Sequence, residues 1–148
     1  MLTKSVDNEV VNGTAKNDLF DATELGSLQN DDLVLDNSTT DKDILNASVN
    51  SDAISARIQN VETMNIQGEY VKTGFDLTNV SGTENLNLST KIAGGVATVT
   101  AVNSLNAETI NAKTNIATLN LTSLTSGTRD EVTVDAGAAK TVNITGAA

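Results

Sequence analysis

A three-residue beat of apolar, Asn, apolar recurs along the chain, as Met64-Asn65-Ile66, Leu86-Asn87-Leu88, Ile110-Asn111-Ala112, Leu119-Asn120-Leu121 and Val142-Asn143-Ile144. Successive side chains of an extended backbone point to opposite faces, so the flanking aliphatics face a core and the Asn faces outward. Four of the beats follow related runs, Val61-Glu62-Thr63, Thr83-Glu84-Asn85, Ala107-Glu108-Thr109 and Ala139-Lys140-Thr141. The Asn residues at 65, 87, 111 and 143 are 22, 24 and 32 positions apart, with Asn120 as an extra beat between. A loose period in the low twenties marks stacked coils of short strands. In such a stack each Asn lies over the Asn of the next coil, and their amides can bond along the column, donor to acceptor.

Other stretches carry the same alternation. Thr98–Val102, Thr118–Leu121, Val132–Val134 and Thr141–Ile144 read as short strands rich in β-branched residues. Gly68, Gly74, Gly82, Gly94, Gly95, Gly127 and Gly137 punctuate them and are expected at corners. The strand signal dominates from about Ile58 onward. Residues 1–50 read differently, as a loop-rich segment whose short apolar anchors (Val10-Val11, Leu19-Phe20, Leu33-Val34-Leu35, Ile44-Leu45) are separated by turn residues. A helical turn over Asp21–Leu28 and a short helical or extended stretch over Ser51–Ile58 are expected there. The pattern as a whole predicts an all-β fold, a parallel β-helix of short strands. It forms one domain over residues 1–148, with an acidic segment at 1–50 and irregular coils at 51–148.

Composition sharpens this picture. The chain has no Cys, His, Pro or Trp, and its aromatics are Phe20, Tyr70 and Phe75. Thr, Asn and Ser number 21, 18 and 11, so a core must be built from thin layers of Val, Ile, Leu and Ala, which suits a narrow solenoid. Lack of Cys excludes disulfides, thiolate zinc sites and thiol catalysis, and lack of His removes the commonest general base. No apolar run approaches the roughly 18 residues of a membrane span. No cationic start followed by an apolar stretch suggests a Sec signal, and the chain is expected to be part of a longer secreted protein.

The net charge is −10, unevenly spread. Residues 1–50 hold ten acidic and three basic residues, against nine and six in the remainder. This argues against nucleic acid, which needs a basic stripe. A dense carboxylate region either forms a solvated acidic surface or binds a hard cation such as Ca²⁺.

One motif speaks for the cation. Gly13-Thr14-Ala15-Lys16-Asn17-Asp18-Leu19-Phe20 resembles the calcium-binding nonapeptide of RTX proteins. Lys16 stands where that family has a second Gly. The resemblance implies Asp18 as carboxylate ligand and Phe20 as an interior plug. Asp32-Leu33-Val34-Leu35-Asp36 and Ser38–Leu45 are similar to a further segment of the family, with its glycines replaced, and there imply Asp43 as ligand and Leu45 as plug. The candidate ligand pool is Asp18, Asp21, Asp32, Asp36, Asp41 and Asp43. Ile58–Ile66 and Phe75–Leu88 resemble segments of bacterial surface-layer proteins and RTX-like solenoids.

That resemblance implies a secreted, bacterial cell-surface protein that self-assembles into a lattice or filament, uses Ca²⁺ for folding, and can meet cell-surface polysaccharide. An adhesin or binding module on a β-helix stalk is the alternative. Ice binding needs a flat Thr array, and Thr98-Val99-Thr100 has no counterpart at coil spacing. An enzyme is not expected, because Arg57 and Arg129 are the only arginines and neither adjoins an acidic cluster on a strand beat.

Overall fold

Strands of two to six residues cannot support a sandwich by themselves, and here they are stacked instead. The computed structural model describes residues 1–4, 8–50, 54–100, 109–122 and 133–145, which form fourteen strands and no helix. Coil 1 contributes β1 (Val10–Asn12) and β2 (Leu19–Ala22); coil 2 contributes β3 (Leu33–Leu35) and β4 (Ile44–Val49). Coil 3 supplies β5 (Arg57–Gln59), β6 (Thr63–Gly68) and β7 (Lys72–Asp76), and coil 4 supplies β8 (Val80–Ser81), β9 (Asn85–Thr90) and β10 (Gly95–Thr100). Coil 5 adds β11 (Thr109–Ala112) and β12 (Ile116–Leu121), and coil 6 adds β13 (Thr133–Asp135) and β14 (Thr141–Ile144).

Three sheets result, in the orders β1-β3-β5-β8 (sheet A), β2-β4-β6-β9-β11-β13 (sheet B) and β7-β10-β12-β14 (sheet C). All pairings are parallel, and the whole is a β-solenoid of about five turns. Ile54 extends sheet C one level further through an isolated parallel bridge to Phe75. Ser51–Ile58 is therefore extended where it is described, since β5 follows directly.

The sheets put like over like. Sheet B aligns Phe20, Leu45, Met64, Leu86, Ile110 and Val134 in one interior column, and Ala22, Ala47, Ile66, Leu88 and Ala112 in a second. Val11, Val34, Ile58 and Val80 line sheet A, and Phe75, Val99 and Leu121 line sheet C. Nearly all of these side chains are fully buried, including the expected plugs Phe20 and Leu45. Each Val, Leu, Ile, Met or Phe side chain removed from water contributes about 1.5–3 kcal/mol, and the alanines of the second column less.

The outward column of sheet B runs Asp21, Asn46, Asn65, Asn87, Asn111 and Asp135. Its amides are linked Nδ2 to Oδ1, from Asn65 to Asn46 (2.7 Å), Asn87 to Asn65 (2.8 Å) and Asn111 to Asn87 (2.9 Å). Sheet C carries a second, shorter column, in which Asn143 donates to Asn120 (2.8 Å) and Asn120 to the hydroxyl of Thr98 (3.3 Å). This corrects the reading of the beats as one series. Asn111 is followed in its column by Asp135, not Asn143, and the interval of 32 crosses from one sheet to another. Within a sheet the coil length varies from 19 to 25 residues.

Three further expectations are refined. The acidic first third is loop-rich as expected, but its four apolar anchors are strands, β1–β4, and build the first two coils. No helical turn forms over Asp21–Leu28, since Asp21 and Ala22 are held by pairing with Asn46 and Ala47 and the chain then turns at Gly26, with φ +82°. Gly82, Gly94 and Gly137 do occupy corners with positive φ, but Gly68 and Gly74 lie within strands and Gly95 opens one. Gly127 is outside the described residues.

Two substitutions separate core from ladder. Leu86→Ala, at a fully buried position, is expected to cost about 2–5 kcal/mol. Asn87→Ala removes two amide bonds from a half-exposed column and is expected to cost about 1–3 kcal/mol. Urea unfolding of the two variants checks the order.

Candidate cation site

The corner between sheets A and B brings three consecutive coils together through residues 13–18, 36–43 and 60–62. Asp18, Asp43 and Glu62 each stand one residue before a strand of sheet B. Because Leu19, Ile44 and Thr63 are in register, the three acids stack. Each is tied to the next by a charge-assisted bond. The Asp18 N–H donates to Asp43 Oδ1 (2.8 Å), and the Asp43 N–H donates to Glu62 Oε2 (2.7 Å). Asp18 Oδ2 also closes its own loop, accepting from the Thr14 N–H (2.6 Å) and hydroxyl (2.9 Å).

Asp36 enters from the end of β3. Its N–H donates to the Gln59 carbonyl (3.0 Å), and its carbonyl accepts from Asn60 Nδ2 (3.1 Å). Asn60 can make this reach because it sits in the left-handed region, φ 54°, which Asn tolerates better than most residues. Asp36 Oδ2 accepts the Ser38 N–H. Its Oδ1 lies against Gly13, where a Cβ would overlap that oxygen and touch the Phe20 ring. The glycine of the nonapeptide-like motif thus leaves room for a carboxylate from the next coil.

Four carboxylate oxygens here are buried without a hydrogen-bond partner: Asp36 Oδ1, Asp41 Oδ1, Asp41 Oδ2 and Asp43 Oδ2. Asp36 and Asp43 are 0% exposed and Asp41 is 9% exposed. An uncompensated buried carboxylate costs several kcal/mol. The ligand atoms of Asp18, Asp36 and Asp43 lie within 4.8 Å of one another, and so do those of Asp41, Asp43 and Glu62. Two groups of buried acids could therefore hold a metal ion. The donors are all oxygen, the chemistry of hard cations rather than of zinc or copper. Among the described residues no Lys or Arg forms an ion pair with these five acids. Lys42, between Asp41 and Asp43, instead reaches Glu84, at 3.1 Å from each oxygen.

Four of the six candidate ligands thus converge. The other two stand apart. Asp21 heads the amide column, and its Oδ1 accepts from the Thr23 hydroxyl (2.6 Å) and N–H (3.0 Å), which hold its pKa below the usual 3.8. Asp32 is buried at the start of sheet A, where its oxygens accept the N–H groups of Glu9 (3.0 Å) and Gln29 (2.7 Å). Glu62 belongs to the cluster and was not among the candidates. Its signal was present in the sequence. An acid stands three residues before the column position in five coils, as Asp18, Asp43, Glu62, Glu84 and Glu108 do before Asp21, Asn46, Asn65, Asn87 and Asn111.

No family model, curated protein or solved structure matches the chain. The site's chemistry therefore rests on its own geometry.

Burial is the main cause that raises the Asp43 pKa above 3.8, aided by Asp36, Asp41 and Glu62 and opposed by the Asp18 N–H. A group whose folded pKa is raised keeps a proton that the unfolded chain has lost, so stability falls as pH rises from 3.8 through the folded value. In chelator, melting temperature is accordingly expected to rise as pH is lowered from neutral toward 3.8. Below 3.8 it should fall again, as Asp21 and Asp76, both lowered by bonds from Thr23 and Thr78, become protonated. A pH series of thermal melts checks both limbs. Gly13→Ala should displace the Asp36 carboxylate and cost about 1–3 kcal/mol, read from urea unfolding.

Proposed function

We propose that this chain is a structural β-solenoid of a secreted, self-assembling bacterial surface protein, of the surface-layer or surface-filament kind, whose first three coils are clamped together by Ca²⁺. The observation that carries the reading is the set of four buried, unpartnered carboxylate oxygens where coils 1, 2 and 3 meet. A divalent ion supplies the missing partner and joins coils that otherwise repel through stacked acids. Ca²⁺ suits the site better than Mg²⁺. It accepts irregular all-oxygen shells at 2.3–2.6 Å, while Mg²⁺ demands near-octahedral geometry at about 2.0–2.1 Å. Extracellular modules work at about 10⁻⁴–10⁻³ M Ca²⁺, a range in which this cluster would be filled outside a cell and empty within it.

The self-assembly part of the proposal draws on the architecture. Parallel solenoids end in strand edges that invite further strands unless they are covered, and a Cys-free, acidic, Thr- and Asn-rich surface suits a protein exposed to the medium. A binding module is the second reading. It is favoured by a shallow groove of about 420 Å³ over sheet B, whose lining includes Asn46, Asn65, Asn87, Ser48, Gln67 and Ser89. A polysaccharide could lie along that row of amides and hydroxyls. Among the described residues no helix is long and apolar enough to cross a membrane.

Thermal melts and light scattering during a Ca²⁺ titration test the proposal. Ligand at about 100 times its Kd adds about 2.7 kcal/mol, so the melting temperature should rise by about 5–10 °C and fall back with chelator. Asp43→Asn should remove most of that rise. Scattering should grow with Ca²⁺ as copies associate. A melt indifferent to Ca²⁺ refutes the clamp, and scattering that stays at the monomer level refutes the assembly.

A further inference from the structure

The acids at the corner outnumber what one ion can serve. We infer that the site is a two-cation centre, with one divalent ion held by Asp18, Asp36 and Asp43 and a second held by Asp41, Asp43 and Glu62. This rests on the proposed cation clamp and goes beyond it in assigning a second site and making Glu62 a ligand.

Three observations lead there. The two groups share only Asp43, with Asp36 in one and Asp41 in the other. An ion in the first group would satisfy Asp36 Oδ1 and leave both oxygens of Asp41 buried and unpartnered; an ion in the second would do the reverse. A single ion position therefore leaves at least one buried carboxylate uncompensated. Charge gives the same answer. One divalent ion offsets two of the five carboxylates and leaves three negative charges in a buried corner, whereas two ions leave one. The nearest basic side chain in sequence, Lys42, is committed to Glu84 and does not make up the difference.

Asp43 is built to be the shared ligand. Its Oδ1 is fixed by the Asp18 N–H and its backbone by Glu62, while Oδ2 is free of protein partners. Carboxylate-bridged ions sit about 3.5–4 Å apart in two-metal sites. The pair also divides the structural work. The first ion joins Asp18 of coil 1 to Asp36 and Asp43 of coil 2, and the second joins Asp41 and Asp43 of coil 2 to Glu62 of coil 3. Each ion rivets one interface between successive coils.

Native mass spectrometry and calorimetry of the full chain with Ca²⁺ count the ions. Two per chain are expected for the wild type, one for the double variant Asp41→Asn/Glu62→Gln, one for Asp36→Asn, and none for Asp43→Asn. One ion per chain at saturation overturns the two-cation centre while leaving the single clamp standing, and no bound ion overturns both. Two ions retained in the Asp41→Asn/Glu62→Gln variant also overturn the assignment. Should the variants fail to fold, the wild type loaded with a Tb³⁺/Eu³⁺ mixture decides. Ions this close shorten the Tb³⁺ luminescence lifetime at least severalfold, and a lifetime equal to that with Tb³⁺ alone refutes the pair.

Discussion

Neighbouring coils lie about 4.8 Å apart, and parallel, in-register pairing sets each side chain over its counterpart one coil earlier. Everything else in the molecule answers to that repetition. Aliphatics stack without penalty, which is why sheet B can run Leu45, Met64, Leu86 and Ile110 in one column. An amide also stacks well on itself, since it offers a donor to one neighbour and an acceptor to the other. A carboxylate does not, because it carries only acceptors and a repelling charge. The Asn column therefore sustains itself, while the acid column, three residues earlier in each coil, needs help from other groups. Asp18 and Asp43 obtain it in part from backbone N–H groups, and Glu84 from Lys42. The buried oxygens of Asp36, Asp41 and Asp43 are the remainder that the chain's own groups do not meet.

The corners are where this repetition is allowed to vary. Asn60 and Gly82 occupy equivalent places between sheets A and B, both with positive φ, and so packed that a Cβ on Gly82 would come within 2.8 Å of the Asn60 Cα. Asn115 plays the matching part between sheets B and C, where its amide donates to the Thr90 carbonyl one coil earlier (3.0 Å). Asn at a left-handed corner does two things at once. It takes the conformation, and its side chain satisfies a carbonyl that the turn would otherwise strand. At Asn60 that carbonyl belongs to Asp36, so the backbone of a candidate ligand is held by the corner of the following coil.

Much of this was legible in the residues, and the failures have physical reasons. Alternation around Asn65, Asn87 and Asn111 gave the strands, the outward amides and their stacking correctly. It did not separate sheet B from sheet C, because both columns use the same apolar-Asn-apolar beat and only pairing distinguishes Asn111 from Asn120. Strands β1–β4 fall on the short apolar anchors of the acidic segment, although anchors such as Leu33–Leu35 are too short for periodicity to mark them as strands. Asp18, Asp36, Asp41 and Asp43 were identifiable as candidates from composition and motif. Asp21 and Asp32 looked the same in sequence, yet one faces outward at the head of a column and the other closes a turn at the start of sheet A. Glu62 escaped notice because it lies outside the acidic segment, and only the coil register carries it beneath Asp43.

The amide column has a meaning apart from the few kcal/mol it contributes. A slip of one residue between coils turns every inward side chain outward, and in sheet B it would press Asn65 or Asn87 into a core lined by Leu and Ile. The column thus works as an alignment mark. It distinguishes the right superposition of two nearly identical strands from the wrong ones, in a fold whose repeats resemble one another enough to be confused.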